Sequence, residues 1–141
     1  MILYLDTSAF VRLYVYEEDH ELIWSTVQDA QQTATHLIAY AEMRAAFARM
    51  LRMRRLRKTD VASIKKAFES DWRGMLQLMP TEGMVRRAGD LAERFGLRGY
   101  DSVHLAAAES LVIDRRHPVH FASFDSNLNC AAAELGLNTL R

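Results

Sequence analysis

A short apolar run near the start of the chain, Ile2 to Leu5, is the feature that most limits how this sequence can fold. It ends abruptly in a polar triplet, Asp6-Thr7-Ser8. A strand without a polar face is buried on both sides, as strands in the middle of a parallel sheet are. The run therefore predicts a central strand with a carboxylate directly after its carboxyl end.

Further along the chain, short strand patterns alternate with longer helical patterns. Strands are predicted at Thr33–Thr35, Met75–Met79, Val119–Phe124 and Leu137–Leu140. Helices are predicted at Ala9–Tyr16, Leu22–Val27, His36–Arg57, Thr59–Arg73, Thr81–Phe95, Gly99–Ile113 and Ser126–Leu135. Because helices that alternate with short strands cover the faces of a parallel sheet, the pattern predicts an α/β sandwich with a largely parallel sheet. No repeat or linker divides the chain, so a single domain is expected over residues 1–141.

Composition excludes several function classes. Basic and acidic residues each number 18, so the net charge is zero and any contact with nucleic acid must be local. The only cysteine, Cys130, allows neither an intramolecular disulfide nor a cysteine-cluster zinc site, and the 5 histidines show no zinc-like spacing. Neither a secretory signal nor an apolar stretch of ~18 residues is found, so we expect a cytoplasmic protein without a membrane span.

Four carboxylates, here called the acidic quartet, stand where they could carry chemistry: Asp6, Glu42, Asp101 and Asp125. The first and last follow predicted strands, and ligands of parallel sheets bind at the carboxyl ends of strands. Asp101 falls in the first turn of a helix, on the face expected to point inward. Glu42 has small and apolar helical neighbours, so it needs a partner, which could be Arg44, Arg49 or a metal ion.

Each member of the quartet also has an ordinary interpretation. The three aspartates stand at predicted helix starts, where Asp is a favoured N-cap. Glu42 could be a surface residue of an amphipathic helix. Together, however, four carboxylates at one edge of a sheet would repel one another unless a hard divalent cation were bound. The quartet therefore predicts a site for Mg²⁺ or Mn²⁺, which suits hydrolysis of phosphodiesters.

Nearby polar side chains could support such a site. Ser8 and Ser123 place hydroxyl groups beside Asp6 and Asp125, where they could orient a carboxylate or a water molecule. Asn127 could supply a further oxygen, although a role at the helix start is equally compatible with its position. Capping and core hydrogen bonding are the alternative uses of the two serines.

Motifs along the whole chain resemble those of the PIN domain family, and most closely the VapC-type toxins of bacterial and archaeal toxin–antitoxin pairs. The similar segments are Leu3–Ala9, Tyr40–Ala46, Leu97–Ala108 and Phe121–Asp125, followed by Leu128 and Ala131. The third is the most specific, because Gly-Tyr-Asp followed by His-Leu-Ala-Ala-Ala is difficult to explain as generic helix sequence. Where family members often have a further acidic residue, this chain has Asn127, so the number of metal ions stays open.

The resemblance implies a fold, an activity and partners. The fold would be a PIN-like three-layer α/β/α sandwich with a short, mostly parallel sheet of about 4–5 strands. The acidic quartet would bind metal, with Ser8 and Ser123 as the small hydroxyl residues of the first and last motifs. The implied activity is that of a Mg²⁺- or Mn²⁺-dependent endoribonuclease, acting as a homodimer and inhibited by a cognate antitoxin protein lying across the active-site groove.

Basic residues between Arg44 and Lys58 form a cluster without any acidic residue. Arg49, Arg52 and Arg55 are the candidates for contact with RNA phosphates or with a protein partner, and a solvated helix face is the alternative. Further candidates are Arg86, Arg87, Arg115 and Arg116.

Large apolar residues of the first two helices could similarly face a partner or fill the core: Phe10, Leu13, Tyr14, Ile23 and Trp24.

Two other functions remain open from the sequence. A catalytically weak PIN-like module could bind RNA or a partner through the basic cluster, in keeping with Asn127 and the neutral charge. A metal-dependent phosphatase acting on small molecules would use the same carboxylates, although the basic cluster counts against it.

Overall fold

The computed structural model describes residues 1–113 and 116–140, which form one parallel sheet and the helices that cover it. The strands are β1 (Ile2–Leu5), β2 (Gln32–His36), β3 (Leu76–Leu78), β4 (Val119–Ala122) and β5 (Asn138–Thr139). The helices are α1 (Thr7–Val11), α2 (His20–Asp29), α3 (Ala39–Arg52), α4 (Lys58–Gly74), α5 (Glu82–Phe95), α6 (Gly99–Val112) and α7 (Ser126–Glu134). The alternation predicted from the sequence is confirmed.

The strand order, β3-β2-β1-β4-β5, places β1 in the middle of the sheet, and every pairing is parallel. Successive side chains of β1 point to opposite faces. Tyr4 joins an alanine-rich cluster with α5, α6 and α7, whereas Leu3 and Leu5 join an aromatic- and methionine-rich cluster with α1, α3 and α4. The strand is buried on both faces, as expected, and the result is the three-layer α/β/α sandwich.

Helix α3 is shorter than the predicted helix, which extended from His36 to Arg57. His36 belongs to β2, and the helix ends at Arg52. Arg54 then adopts a left-handed conformation, with φ of 57°. The Arg55 and Arg54 N–H groups donate to the Met50 and Leu51 carbonyls at 2.9 and 3.1 Å. This is a Schellman ending built without the glycine that usually marks it in a sequence, which explains why the predicted helix was too long.

Helix α1 also differs from the expected Ala9–Tyr16. It begins at Thr7, directly after its cap Asp6, and ends at Val11. The next residues form turns with bonds to the third residue back, such as Leu13 N–H to the Phe10 carbonyl at 3.1 Å. The early start brings α1 close to the carboxyl end of β1.

Of the helices in residues 1–113 and 116–140, none has both the length and the apolar character that a membrane crossing requires.

Candidate metal centre

Asp6 lies at the junction of β1 and α1 and is almost completely buried, with 4% of its surface exposed. Its Oδ1 accepts hydrogen bonds from Ser8 Oγ at 2.7 Å and from the Ala9 N–H at 2.9 Å. Burial raises the pKa of Asp6, although His104, Ser123 and Ser8 act in the opposite direction. Within residues 1–113 and 116–140, no basic side chain forms an ion pair with it. A bound cation would therefore favour its charged form.

Two serine hydroxyls connect the Asp6 region to the end of β4. Ser8 Oγ accepts a hydrogen bond from the Phe124 N–H at 3.1 Å, and Ser123 Oγ accepts one from the Asp125 N–H at 3.1 Å. The Ser123 hydroxyl also lowers the pKa of Asp6. These bonds place Asp6 and Asp125 at neighbouring strand ends, as the sequence predicts for both residues.

Helix capping accounts for part of what Asp6 and Asp125 do. Asp6 is the N-cap of α1, and Asp125 caps α7 by accepting the Leu128 N–H at 3.0 Å. Each cap uses Oδ1, and a carboxylate has a second oxygen. The capping interpretation is thus correct for both residues, and it leaves a metal-binding role possible in chemical terms.

Glu42 is held by residues from two other elements. Its Oε1 accepts hydrogen bonds from Thr7 Oγ1 at 2.8 Å and from His104 Nε2 at 2.7 Å. Burial raises the pKa of Glu42, but the hydrogen bond and charge of His104 outweigh it, so the pKa lies below its usual value. Arg44, one of its expected partners, instead bonds to the Tyr40 hydroxyl at 2.8 Å.

His104 is the residue of this site that the sequence reasoning missed, because the histidines were considered only for zinc-like spacing. It is 2% exposed and lies on α6, three residues after Asp101. Residues three apart on a helix share a face. That spacing, within the most specific motif of the chain, was the signal that could have identified it.

Asp101 is positioned differently from the expectation. It is not a cap, since α6 begins after Arg98, and its carboxylate accepts a hydrogen bond from Arg98 Nε at 3.0 Å. The pKa of Arg98 is raised, first by its hydrogen bond to Asp101 and more weakly by the charge of Asp125, which follows β4. An exposed guanidinium, rather than the interior, is therefore what Asp101 contacts.

The quartet gathers at one end of the sheet without closing into a complete site. Glu42 and Asp101 border the same groove of about 670 Å³, while Asp6 and Asp125 follow β1 and β4. Among residues 1–113 and 116–140, no three His, Cys, Asp or Glu side chains are close enough to hold a metal ion between them. The donors are all carboxylate oxygens, so the set fits Mg²⁺ or Mn²⁺ in chemistry. Asp101 would have to exchange Arg98 for the ion.

The arginine candidates divide into two groups. Arg49, Arg52 and Arg55 border a second groove of about 650 Å³, together with Thr7 and Glu42. Within this group, Arg55 also forms an ion pair with Glu17. Most of the remaining candidates are engaged elsewhere or lie outside the described residues. Arg86 and Arg87 pair with Glu82 and Glu109, Arg44 pairs with Glu69, and Arg115 is not described. Asn127 is exposed in the first turn of α7.

The chain is similar to known proteins in both sequence and fold. The chain is 30% identical over 142 residues to the ribonucleases VapC45 and VapC49 of two Mycobacterium tuberculosis strains, which covers 95% of this chain and 97% of each relative. FitAB bound to an IR36 DNA fragment superimposes with a TM-score of 0.68 at 18% identity, covering 99% of this chain and 94% of that one. VapBC-1 from nontypeable Haemophilus influenzae gives 0.61 at 16% identity, covering 99% and 96%. The PIN domain model matches residues 3–133. With that match over nearly its whole length, the chain belongs to the PIN domain family.

Proposed function

We propose that this chain is a divalent-metal-dependent endoribonuclease and the toxin of a toxin–antitoxin pair. The observation that carries the proposal is the buried carboxylate of Asp6, which forms no ion pair among the described residues and follows β1, next to the strand that Asp125 follows. The curated relatives at 30% identity are named ribonucleases, which supports the choice of RNA as substrate.

Asp6, Glu42, Asp101 and Asp125 would hold Mg²⁺ or Mn²⁺. When bound, the ion supplies a lowered pKa for a water nucleophile and positive charge beside the phosphate. Asp6 would be the most rigid ligand, since Ser8 and the α1 backbone fix one of its oxygens. Glu42 would ligate the ion or orient the attacking water. Ser123 supports Asp6, and Asn127 could add a neutral oxygen near Asp125.

The RNA backbone would lie along the groove bordered by Arg49, Arg52 and Arg55. Glu42 borders both this groove and the one that contains Asp101, so it stands where the two meet. Phosphates bound by the arginines would thus lead toward the carboxylates. This local basic surface resolves the apparent conflict between a neutral chain and a polyanionic substrate.

The test is cleavage of structured RNAs by the purified chain in Mg²⁺, in EDTA, and with Asp6→Asn. Cleavage should require the metal and should be lost in the variant. Asp90→Asn, which changes an exposed carboxylate of α5, is the matched control and should cleave normally. Cleavage that persists in both EDTA and Asp6→Asn would contradict the metal mechanism.

The proposed partners are a cognate antitoxin and a second copy of the chain. Trp24 is 50% exposed, whereas Phe10 and Ile23 are fully buried. The large apolar residues of the first two helices therefore do not all pack into the core. Trp24, Tyr14 and Met75 border a groove of about 520 Å³. Light scattering of the chain alone, and after coexpression with the small protein of a neighbouring reading frame, tests both partners.

A catalytically weak RNA-binding module is the second candidate. The observation that favours it is the open quartet, in which no three ligand-type side chains of the described residues come together. It predicts that RNA binds equally well to the natural chain and to Asp101→Asn while neither cleaves at any divalent ion. Cleavage by the natural chain in Mg²⁺ or Mn²⁺ would exclude it.

A further inference from the structure

A chain of two hydrogen bonds, the first buried and the second partly buried, runs from the central strand to Glu42. The Tyr4 hydroxyl lies 2.7 Å from His104 Nδ1, and His104 Nε2 lies 2.7 Å from Glu42 Oε1. Tyr4 is fully buried and His104 is 2% exposed. The chain thus connects β1, α6 and α3 through side chains that are far apart in sequence.

The chemistry of the partners gives the chain a direction. An ionised carboxylate only accepts hydrogen bonds, so His104 Nε2 must donate to Glu42. Burial raises the pKa of Tyr4 well above its usual value, which keeps the phenol protonated. Nε2 therefore carries the proton of the bond to Glu42, and the Tyr4 hydroxyl is the partner of Nδ1 at the other side of the ring. A ring flip would break both bonds, because carbon atoms would then replace the nitrogens.

The surrounding packing leaves the imidazole little freedom. Tyr4 stacks on Phe121 at a ring separation of 5.7 Å and meets His104 edge-on at 5.8 Å. The adjacent α6 residues Leu105 and Ala106 belong to the apolar cluster beneath the helix. A leucine at position 104 would suit that cluster without the cost of burying a polar ring. Among the described residues, the ring's partners that border a groove are Glu42 and, at a longer distance of 3.4 Å, Thr7, which also donates to the same Glu42 oxygen.

We propose that His104 is the positioning residue of the metal site, acting through Glu42. By fixing Oε1 together with Thr7, it leaves Oε2 of Glu42 to meet the ion or the attacking water. The proposal rests on the metal-dependent function described above. It assigns the Tyr4–His104 pair to the orientation of one ligand, a role separate from RNA binding by the arginines.

The test compares His104→Leu, which removes the donor, with His104→Gln, whose amide can place a donor near the position of Nε2. Mn²⁺ affinity is measured by electron paramagnetic resonance without RNA, and kcat and KM are measured for cleavage. His104→Leu should weaken Mn²⁺ binding by about 10–100-fold, the usual cost of losing a group that orients a metal ligand. It should lower kcat while KM for RNA stays unchanged. His104→Gln should recover most of the loss, and Tyr4→Phe should cause a smaller loss.

Leu105→Ala, on the same helix and facing the apolar cluster, is the control for destabilisation and should bind Mn²⁺ normally if folded. Natural Mn²⁺ affinity in a folded His104→Leu variant would overturn the proposal. If that variant does not fold, His104→Gln and Tyr4→Phe decide: a loss in Tyr4→Phe with retention in His104→Gln supports the role, and natural affinity in Tyr4→Phe overturns it. Failure of the natural chain to bind Mn²⁺ would instead refute the proposed function.

Discussion

Glu42 and Asp101 border the same groove with nearly equal exposure, 27% and 23% of their side chains, yet they are held in opposite ways. Glu42 accepts hydrogen bonds from His104, which is buried, and from Thr7 on another helix. Within the described part of the chain, Asp101 pairs only with Arg98 of its own helix start, whose side chain is 84% exposed. One carboxylate is fixed by tertiary structure and the other by a local, solvated ion pair.

This difference indicates how an open quartet could become a metal site. A carboxylate held by partly buried hydrogen bonds from two other elements keeps its position without an ion, whereas an exposed ion pair contributes little and exchanges its partner readily. Divalent metal would then find Asp6 and Glu42 in place and recruit Asp101 from Arg98. The contacts of each carboxylate thus predict the order in which the carboxylates would bind the ion.

The largest expected effect is on catalysis, and substitutions of Glu42 and of Asp101 should both show it. Glu42→Gln and Asp101→Asn should each lower the rate of RNA cleavage in Mg²⁺ by about a hundredfold or more, since each would lose a carboxylate of the proposed metal site. The rates are measured with Asp90→Asn as control. Near-natural cleavage by Asp101→Asn would mean that Asp101 is only the surface partner of Arg98.

The next effect should separate the two carboxylates. In EDTA, Glu42→Ala should lower the free energy of unfolding by about 1–3 kcal/mol, because buried His104 loses its acceptor. Asp101→Ala should leave the free energy almost unchanged, since exposed pairs stabilise little. Urea unfolding of the two variants measures the difference. Equal losses would contradict the distinction between a fixed and a recruited ligand.

Replacing Asp6 should raise the free energy of unfolding in EDTA, whereas replacing Glu42 should lower it. Its pKa is raised in the folded protein, so the metal-free protein loses stability as the pH rises from the unfolded pKa through the folded one. At neutral pH in EDTA, Asp6→Asn should therefore stabilise the fold by about 1 kcal/mol, with the cap retained by the Asn oxygen.

The gain from Asp6→Asn should disappear below the usual Asp pKa of about 3.9, where the natural carboxyl is protonated in both states. Excess Mg²⁺ should reverse the ranking at neutral pH by stabilising only the natural chain. Urea unfolding across this pH range provides the measurement. A variant that is less stable than the natural chain in EDTA at neutral pH would show that burial does not disfavour the Asp6 charge.

The smallest effect concerns Arg98. Arg98→Gln should tighten Mn²⁺ binding only a few-fold at low salt, because the ion no longer competes for Asp101. The gain should vanish at high ionic strength, which screens exposed charges. Weaker binding in Arg98→Gln would show that the guanidinium supports the site rather than competing with the ion.

The sequence predicted the features that depend on local pattern. The apolar run of β1 and the alternation of strands and helices placed Asp6 and Asp125 correctly at strand ends. The end of α3 was wrong because Arg54 takes a left-handed position that a sequence usually marks with glycine. The spacing of apolar residues does not show where a non-glycine residue turns left-handed and ends a helix.

The partner of Glu42 could not be predicted from the pattern. Glu42 and His104 are 62 residues apart, so their hydrogen bond depends on how α3 and α6 pack across the sheet. The Arg98–Asp101 pair, by contrast, follows from helical spacing and could have been predicted. What the sequence left open was the tertiary support of each ligand, which is the property that distinguishes Glu42 from Asp101.

The most direct test is a crystal of the natural chain soaked in Mn²⁺ and examined by anomalous scattering. The expected result is a manganese peak with carboxylate oxygens of Asp6 and Asp101 at about 2.0–2.2 Å and with Arg98 displaced from Asp101. A soaked crystal without a peak at the quartet, from a protein that cleaves RNA in the same solution, would contradict a metal site built from these carboxylates.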